Sequence, residues 1–284
     1  MKKRISKLSV VLISALCLSG IFTGCGVTPS TPNGTNGKLS IVGSTSVQPL
    51  AQELADAYTA KNKDVKIDVQ GVGSTAGIKA INDGTCDIGT SSRELKTEEK
   101  AWKLTEHIIA LDGIAVVVNP KNSVSEISKE QITKIFKGEI KNWKELGGID
   151  KEIIVVSREA GSGTRGAFDE LLKIEEKKDG KTTSYLKADA LIAEGNGSVK
   201  ANIASKENAI GYISLGFLDN SLKALKVDGV EATVANVKNK SYPISRPFIM
   251  LTKGEENATV KSFLEYIKGD EGQKIVSEKY ISIK

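Results

Sequence analysis

Residues 39–42 form a short apolar run, and Val47, Leu50, Ala51, Leu54, Ala55 and Tyr58 then recur at i, i+3, i+4, i+7, i+8 and i+11. The run predicts a buried strand, and the spacing predicts a helix with one apolar face. Val65, Ile67 and Val69 alternate as a strand, residues 75–83 read as a short helix stopped by Gly84, and residues 87–89 begin another extended piece. Residues 114–118 predict a strand ended by Asn119-Pro120, and residues 153–156 another, followed by a helix bearing Phe168, Leu171 and Leu172. Strand and helix alternate, which predicts an α/β fold of layers around mainly parallel sheets. In such sheets ligands sit beyond the carboxyl ends of strands, where loops meet helix N-termini. Residues 38–284 suffice for one large domain or two lobes, and the pattern favours two lobes.

The first residues have a different character. Lys2, Lys3, Arg4 and Lys7 precede an apolar stretch over residues 8–18, which reads as a secretory signal too short to remain as a membrane span. Phe22-Thr23-Gly24-Cys25 resembles a bacterial lipobox, in which the cysteine is acylated and becomes the first residue; the alternative is an ordinary signal with a free cysteine. Residues 25–37 carry almost no apolar surface and many turn residues, so they are expected to form a tether between lipid and domain.

These assignments change how composition is read. The formal net charge is +5, but the signal holds four positive and no negative side chains, so the remainder carries about +1. Nucleic acid is therefore not an expected partner. Losing Cys17 and acylating Cys25 would leave Cys86 alone, unable to make an internal disulfide. The sole histidine, His107, argues against a zinc site or a Ser-His-Asp triad and reads as structural.

Candidate chemistry lies at three joints from strand to helix: Gly43-Ser44-Thr45-Ser46, Gly71-Val72-Gly73-Ser74-Thr75 and Gly161-Ser162-Gly163-Thr164. Small residues let the backbone approach a ligand, hydroxyls donate hydrogen bonds, and helix-start N–H groups favour negative charge. Three such loops converging would cage an oxyanion, whereas each alone can be an ordinary Ser/Thr helix cap. Arg93, Arg158 and Arg165 lie near these loops, and a guanidinium can hold an oxyanion through two parallel bonds. Each can equally be a surface charge. Arg158 is favoured because it immediately follows the predicted strand at residues 153–156.

Five phrases in order carry a resemblance: "IVGSTSVQPLAQELA", "GVGSTAGIKAINDGTCDIGTSSRELK", "LDGIAVVVNP", "SREAGSGTRGAF" and "GNGSVKANIASKENAIGYISLG". Together they resemble the phosphate-binding lipoproteins of bacterial phosphate ABC transporters, a family with the type II periplasmic-binding-protein fold. The resemblance implies an extracytoplasmic, lipid-anchored monomer with no cofactor that captures inorganic phosphate and delivers it to permease subunits. It implies a signal peptide over 1–24, one lobe from residues 38–113 plus 248–284, a second from 114–247, and an interlobe cleft closed by a hinge. Residues 241–248 fit a returning hinge crossing. By motif, phosphate ligands fall on Thr45, Ser46, Ser74, Arg158, Ser162, Gly163 and Thr164. Some members place an aspartate in the loop after the third strand, where it accepts the phosphate proton; here Ser92 stands there. Asp112, just before Gly113, is the substitute considered for that acceptor, the alternative being a turn cap.

Other functions fit less well. Gly161, Gly163 and Gly166 match G-x-G-x-x-G, but a dinucleotide site needs an acidic residue about twenty positions on, and Asp179 follows a helix within Lys-Lys-Asp-Gly-Lys, a turn pattern. Ser44, Ser46, Ser74 and Ser162 lack an evident base and no G-x-S-x-G elbow is complete. Aromatic residues make up only 5%, too few for the aromatic faces a sugar site usually offers. Sulfate or molybdate binding, or a surface adhesin or receptor on the same fold, stays open.

Overall fold

The computed structural model of the chain describes residues 37–178 and 181–284. The expected signal segment, Cys25, the tether up to residue 36 and the turn at Asp179 lie outside the described residues. Among those described, no helix is long and apolar enough to cross a membrane.

β1 (Gly37–Gly43), α1 (Gln48–Lys61), β2 (Val65–Gly71), α2 (Ser74–Asn82) and β3 (Ile88–Ser91) alternate as the pattern predicts. The three strands pair in parallel, with β1 central. Val47, Leu50, Ala51, Leu54, Ala55 and Tyr58 are all buried, so the helical spacing marked a core-facing stripe. After α3 (Thr97–Lys100) comes β4 (Thr105–Val118), a 14-residue strand of which only the second half was legible as apolar sequence. β5 (Glu126–Ile127) and α4 (Lys129–Lys137) follow, then β6 (Ile154–Arg158) and α5 (Gly163–Leu171). The hairpin of β7 (Glu175–Lys178) and β8 (Lys181–Ser184) precedes β9 (Leu191–Ala193), α6 (Gly195–Ser205) and β10 (Ala209–Ser214). Short strands β11 (Lys223–Ala224) and β12 (Lys226–Val227) and helix α7 (Val234–Lys238) lead to β13 (Ser245–Thr252), α8 (Ala258–Lys268) and α9 (Asp270–Val276).

The strand order is β2-β1-β3-β13-β4-β10-β6-β9. Its flanks are parallel, but β13 runs antiparallel to both β3 and β4, and β10 runs antiparallel to β4. The expectation of mainly parallel sheets is thus corrected at the centre. Strand direction there is set by β13 returning from far along the chain, which a local apolar pattern does not encode.

Two halves of β4 serve different partners. Thr105 to Gly113 pair with β13, while Ile114 to Val118 pair with β10. The hydrophobic cores divide at the same place. One core draws on residues between Ile114 and Ile244 together with Ile281, and the others draw on residues from Leu39 to Ala110 and from Phe248 to Tyr280. The chain crosses between these cores at Gly113/Ile114 and again at Ile244/Ser245, side by side, since the Ile114 N–H donates to the Ile244 carbonyl at 2.9 Å.

Three aromatic side chains and His107 fill structural places. Tyr212 is fully buried and stacks on Phe168 with ring centroids 3.8 Å apart. Trp143 is buried and its indole N–H donates to the Asn208 carbonyl, while Trp102 packs half-buried at the edge of a core. His107 bridges β4 to α8: Nε2 lies 2.8 Å from Glu256 and Nδ1 faces the Lys268 ammonium. Cys86 is buried and free, and burial pushes its thiol up to about 11.

Candidate functional site

The three small-residue loops each end a strand and start a helix, as expected: β1 into α1, β2 into α2 and β6 into α5. Gly43 has φ +152°, and a Cβ there would lie 2.2 Å from the Thr90 carbonyl, so only glycine lets β1 end against β3. Beyond it, the Ser44 hydroxyl accepts from the N–H groups of Ser46 and Val47, which caps the first turn toward α1. The same hydroxyl donates to Ser92 Oγ at 2.8 Å, tying the first loop to the loop after β3. In the second loop, Gly43 accepts from the N–H groups of Val72 and Gly73, both at 2.8 Å. Gly73, at φ +102°, is the N-cap of α2, and no side chain caps that helix. Ser74 Oγ then accepts from the Ser92 N–H at 3.1 Å.

The third loop comes from the other core and meets the first two. Ser46 Oγ and Thr164 Oγ1 are 2.8 Å apart, the Thr75 N–H donates to the Gly161 carbonyl at 3.1 Å, and Arg158 Nη2 donates to Thr45 Oγ1 at 3.1 Å. Gly163 packs directly under the Ser74 and Ser92 hydroxyls, with no room for a side chain. Ser46, Ser74, Ser92, Arg158, Ser162, Gly163 and Thr164 are buried, and Thr45 is half-buried. Eight of the nine ligand positions expected from sequence therefore come together. Ser162 also fulfils the alternative reading, because its hydroxyl accepts from the Arg165 N–H and caps α5; its own O–H remains available to donate.

Arg158 supplies the charge. Its side chain is 1% exposed, Nε and Nη2 are held by Glu159 at 2.9 and 2.7 Å, and Nη1 has no partner among the described residues. Burial alone would raise the Glu159 carboxyl, but the Arg158 guanidinium and the Gly195 N–H hold it below the ordinary carboxylate range. The Arg158 N–H donates to the Tyr212 hydroxyl, so the core tyrosine also supports the arginine's backbone. A buried, oriented guanidinium with one unpaired nitrogen beside a ring of hydroxyls is a donor set for an anion.

The other arginines have different duties. Arg93 makes two bonds to Glu99, at 2.6 and 2.8 Å, and a third to Thr75. It braces α3 against the second loop. Arg165 donates to the Asp169 carboxylate and to the Arg158 carbonyl. Asp169 Oδ1 has no partner, and burial pushes this carboxyl up to about 6, against the pull of Arg165. Because the folded value exceeds the unfolded one, the folded state holds this proton more tightly, and stability falls as pH rises from about 4 to 6. Asp169→Asn is expected to gain on the wild type by about 2 kcal/mol over that interval in denaturant unfolding. A stability difference that stays flat from pH 4 to pH 7 contradicts this reading.

Asp112, the ninth position, is fully buried in β4 directly across from Arg246 of β13. Its Oδ2 accepts from Arg246 Nε and Nη2 at 3.2 and 2.9 Å, and its Oδ1 has no partner. Burial pushes the carboxyl up, while the Arg246 guanidinium pulls it down. Hydrogen bonds link Asp112 to the loops through Arg246, whose Nη1 donates to the Ser92 carbonyl at 3.2 Å. It is a strand residue and not a turn cap.

Two participants escaped the sequence reading. Glu159 orients Arg158, and Asn196, in the first turn of α6, donates from Nδ2 to Ser46 Oγ at 2.9 Å. Gly195-Asn196-Gly197 joins β9 to α6 with the same small-residue pattern as the other loops, which is the signal that would have marked it. Among the described residues no cluster of His, Cys, Asp or Glu is arranged to hold a metal ion.

Residues 28–271 match the model of the PBP superfamily domain. The Phosphate-binding protein PstS of Bacillus subtilis is 37% identical over 255 residues, covering 87% of this chain and 81% of the relative. A Clostridium perfringens substrate-binding protein assigned to phosphate ABC transport, solved with bound phosphate, has 46% identity and a TM-score of 0.82, covering 87% of this chain and 100% of that one. An ABC-type phosphate transport receptor from Vibrio cholerae has 36% identity and a TM-score of 0.73, covering 86% and 99%. With its two-lobed α/β fold and its convergent loops, the chain belongs to the PstS family of phosphate-binding proteins within the PBP superfamily.

Proposed function

We propose that the chain is an extracytoplasmic solute-binding protein that captures inorganic phosphate between its lobes and delivers it to the permease of a phosphate ABC transporter. One observation carries this reading: three strand-to-helix loops from two separate cores converge on the buried Arg158, whose Nη1 is unpaired. The ligand set is Thr45, Ser46, Ser74, Ser92, Arg158, Ser162, Gly163 and Thr164. One lobe comprises residues 38–113 plus 245–284 and the other 114–244, with the hinge at the paired crossings, three residues before the return boundary of 247/248 expected from sequence. The family relatives, which are named as phosphate-binding proteins, support the choice of anion.

Asp112 accepts the proton of hydrogenphosphate. Asp112 is linked to the Ser92 loop through Arg246 and keeps Oδ1 unpaired among the described residues, whereas Glu159 has both oxygens engaged by Arg158. Sulfate lacks that proton at neutral pH and leaves the buried oxygen unsatisfied, which disfavours it. The chemistry is binding, in keeping with relatives named as phosphate-binding and substrate-binding proteins. The protein works as a monomer held to the membrane by acylated Cys25.

Charge-assisted hydrogen bonds of roughly 1.5–3 kcal/mol each, offset by desolvating the anion and ordering the cleft, leave a dissociation constant of about micromolar order. Calorimetric titration of the purified protein with phosphate, sulfate, molybdate and NADH tests the reading. Phosphate is expected to bind at about micromolar level, sulfate far more weakly and NADH not at all. Equal binding of sulfate removes the role given to Asp112. Silence with every oxyanion points to an adhesin or receptor, and heat on NADH alone points to a dinucleotide enzyme.

A further inference from the structure

Asn196 is 1% exposed and both ends of its amide are engaged. Oδ1 accepts from the Ser214 N–H at 3.1 Å, within its own core, and Nδ2 donates to Ser46 Oγ at 2.9 Å, in the loop that belongs to the other core. Ser46 Oγ is also within 2.8 Å of Thr164 Oγ1. No side chain caps α6, and its Gly195 N–H donates to Glu159, the partner of Arg158. Asn196 thus crosses between the cores beside the ligand loops without belonging to the ligand set.

We propose that Asn196 is a positioning residue that latches the closed cleft and sets how long phosphate is retained; this rests on the phosphate reading above. Opening the lobes must break the bond from Asn196 to Ser46, because its donor and acceptor sit on opposite sides of the crossing strands. Entry of phosphate into an open cleft does not require that bond, so its loss acts on release and not on capture. A second effect follows from hydroxyl chemistry. With one lone pair of Ser46 Oγ taken by the Asn196 amide, the Ser46 proton is turned toward Thr164 or a ligand oxygen, and accepting one bond strengthens the donor.

Stopped-flow measurement of phosphate association and release, with melting temperatures, tests the latch on three forms of the protein: wild type, Asn196→Ala and Asn196→Asp. Asn196→Ala is expected to release phosphate about tenfold faster with an association rate within about twofold of wild type. Asn196→Asp keeps an acceptor for the Ser214 N–H, and its buried carboxylate lowers the melting temperature without removing that bond. The donor to Ser46 Oγ is gone, the Ser46 hydroxyl is diverted from the anion to the carboxylate, and the carboxylate repels the anion, so release is faster again. This second variant decides the matter if the alanine form does not fold. If wild type binds phosphate but either folded variant releases it at the wild-type rate, the latch is overturned and the phosphate reading stands. If wild type binds no phosphate, the phosphate reading falls, and the latch falls with it.

Discussion

Exchanging Arg158 for glutamine is expected to weaken phosphate binding by a factor of roughly 100 to 1000 while the protein still folds. The side chain is almost fully buried, its Nη1 has no protein partner, and Glu159 and Thr45 fix the plane of the guanidinium. Removing one member of a desolvated, hydrogen-bonded charge pair costs about 2–5 kcal/mol, much of it from the charge left behind. Here the group left behind is the Glu159 carboxylate, which then repels the incoming anion. Arg158→Lys keeps the charge but not the fork that both Glu159 and Nη1 depend on, so it restores only part of the loss. Calorimetry with phosphate reads both variants, and glutamine binding within about threefold of wild type would remove Arg158 from the site.

Gly163→Ala is expected to abolish tight phosphate binding for a different reason. A Cβ at Gly163 would lie 2.2 Å from Ser74 Oγ, 2.6 Å from Ser92 Oγ and 2.9 Å from Ser74 Cβ. All three contacts are with the opposite core, and Gly163 is the first residue of α5, where alanine suits the helix. The methyl group therefore opposes closure rather than folding. Affinity should fall by about a hundredfold or more with the melting temperature of the ligand-free protein unchanged or slightly higher. A variant that binds normally shows that the third loop does not close on the second. One that binds poorly because it has unfolded, with a melting temperature far below wild type, assigns the glycine to the fold instead.

The pattern made some of this legible and hid the rest for identifiable reasons. The loops at residues 43–46, 71–75 and 161–164 stand out because close backbone approach at a strand-to-helix joint demands small residues and hydroxyls in adjacent positions. The stripe from Val47 to Tyr58 is legible because one helix face meets one core. By contrast, Thr105 to Gly113 is strand because β13 returns to pair with it, and the polar Thr105, Glu106 and His107 give no local sign of that pairing. Arg246 escaped notice because its partner Asp112 is 134 residues away, adjacent only through the register of those two strands. Asn196 sits at a joint of the same kind as the three loops, but without a neighbouring serine or threonine before it the hydroxyl signature was missing. Ser162 shows the converse: its hydroxyl caps α5, the ordinary role of a serine at a helix start.

The pairing of Asp112 with Arg246 ties the proposed proton acceptor to the proposed hinge. The two residues are opposite one another on β4 and β13, adjacent to the point where both strands pass between cores, and Arg246 also holds the Ser92 carbonyl. A buried ion pair of this kind contributes little net stability but becomes costly when either partner is lost. It fixes the position of the Ser92 loop relative to the crossing, because Arg246 holds the Ser92 carbonyl.

A crystal structure of the protein grown with inorganic phosphate tests the central claim most directly. The account predicts one tetrahedral anion between the two cores, bonded to Arg158 Nη1 and to hydroxyls or amides of all three loops. Phosphate bound elsewhere, or an Arg158 that still meets only Glu159 and Thr45 in the presence of saturating phosphate, contradicts it.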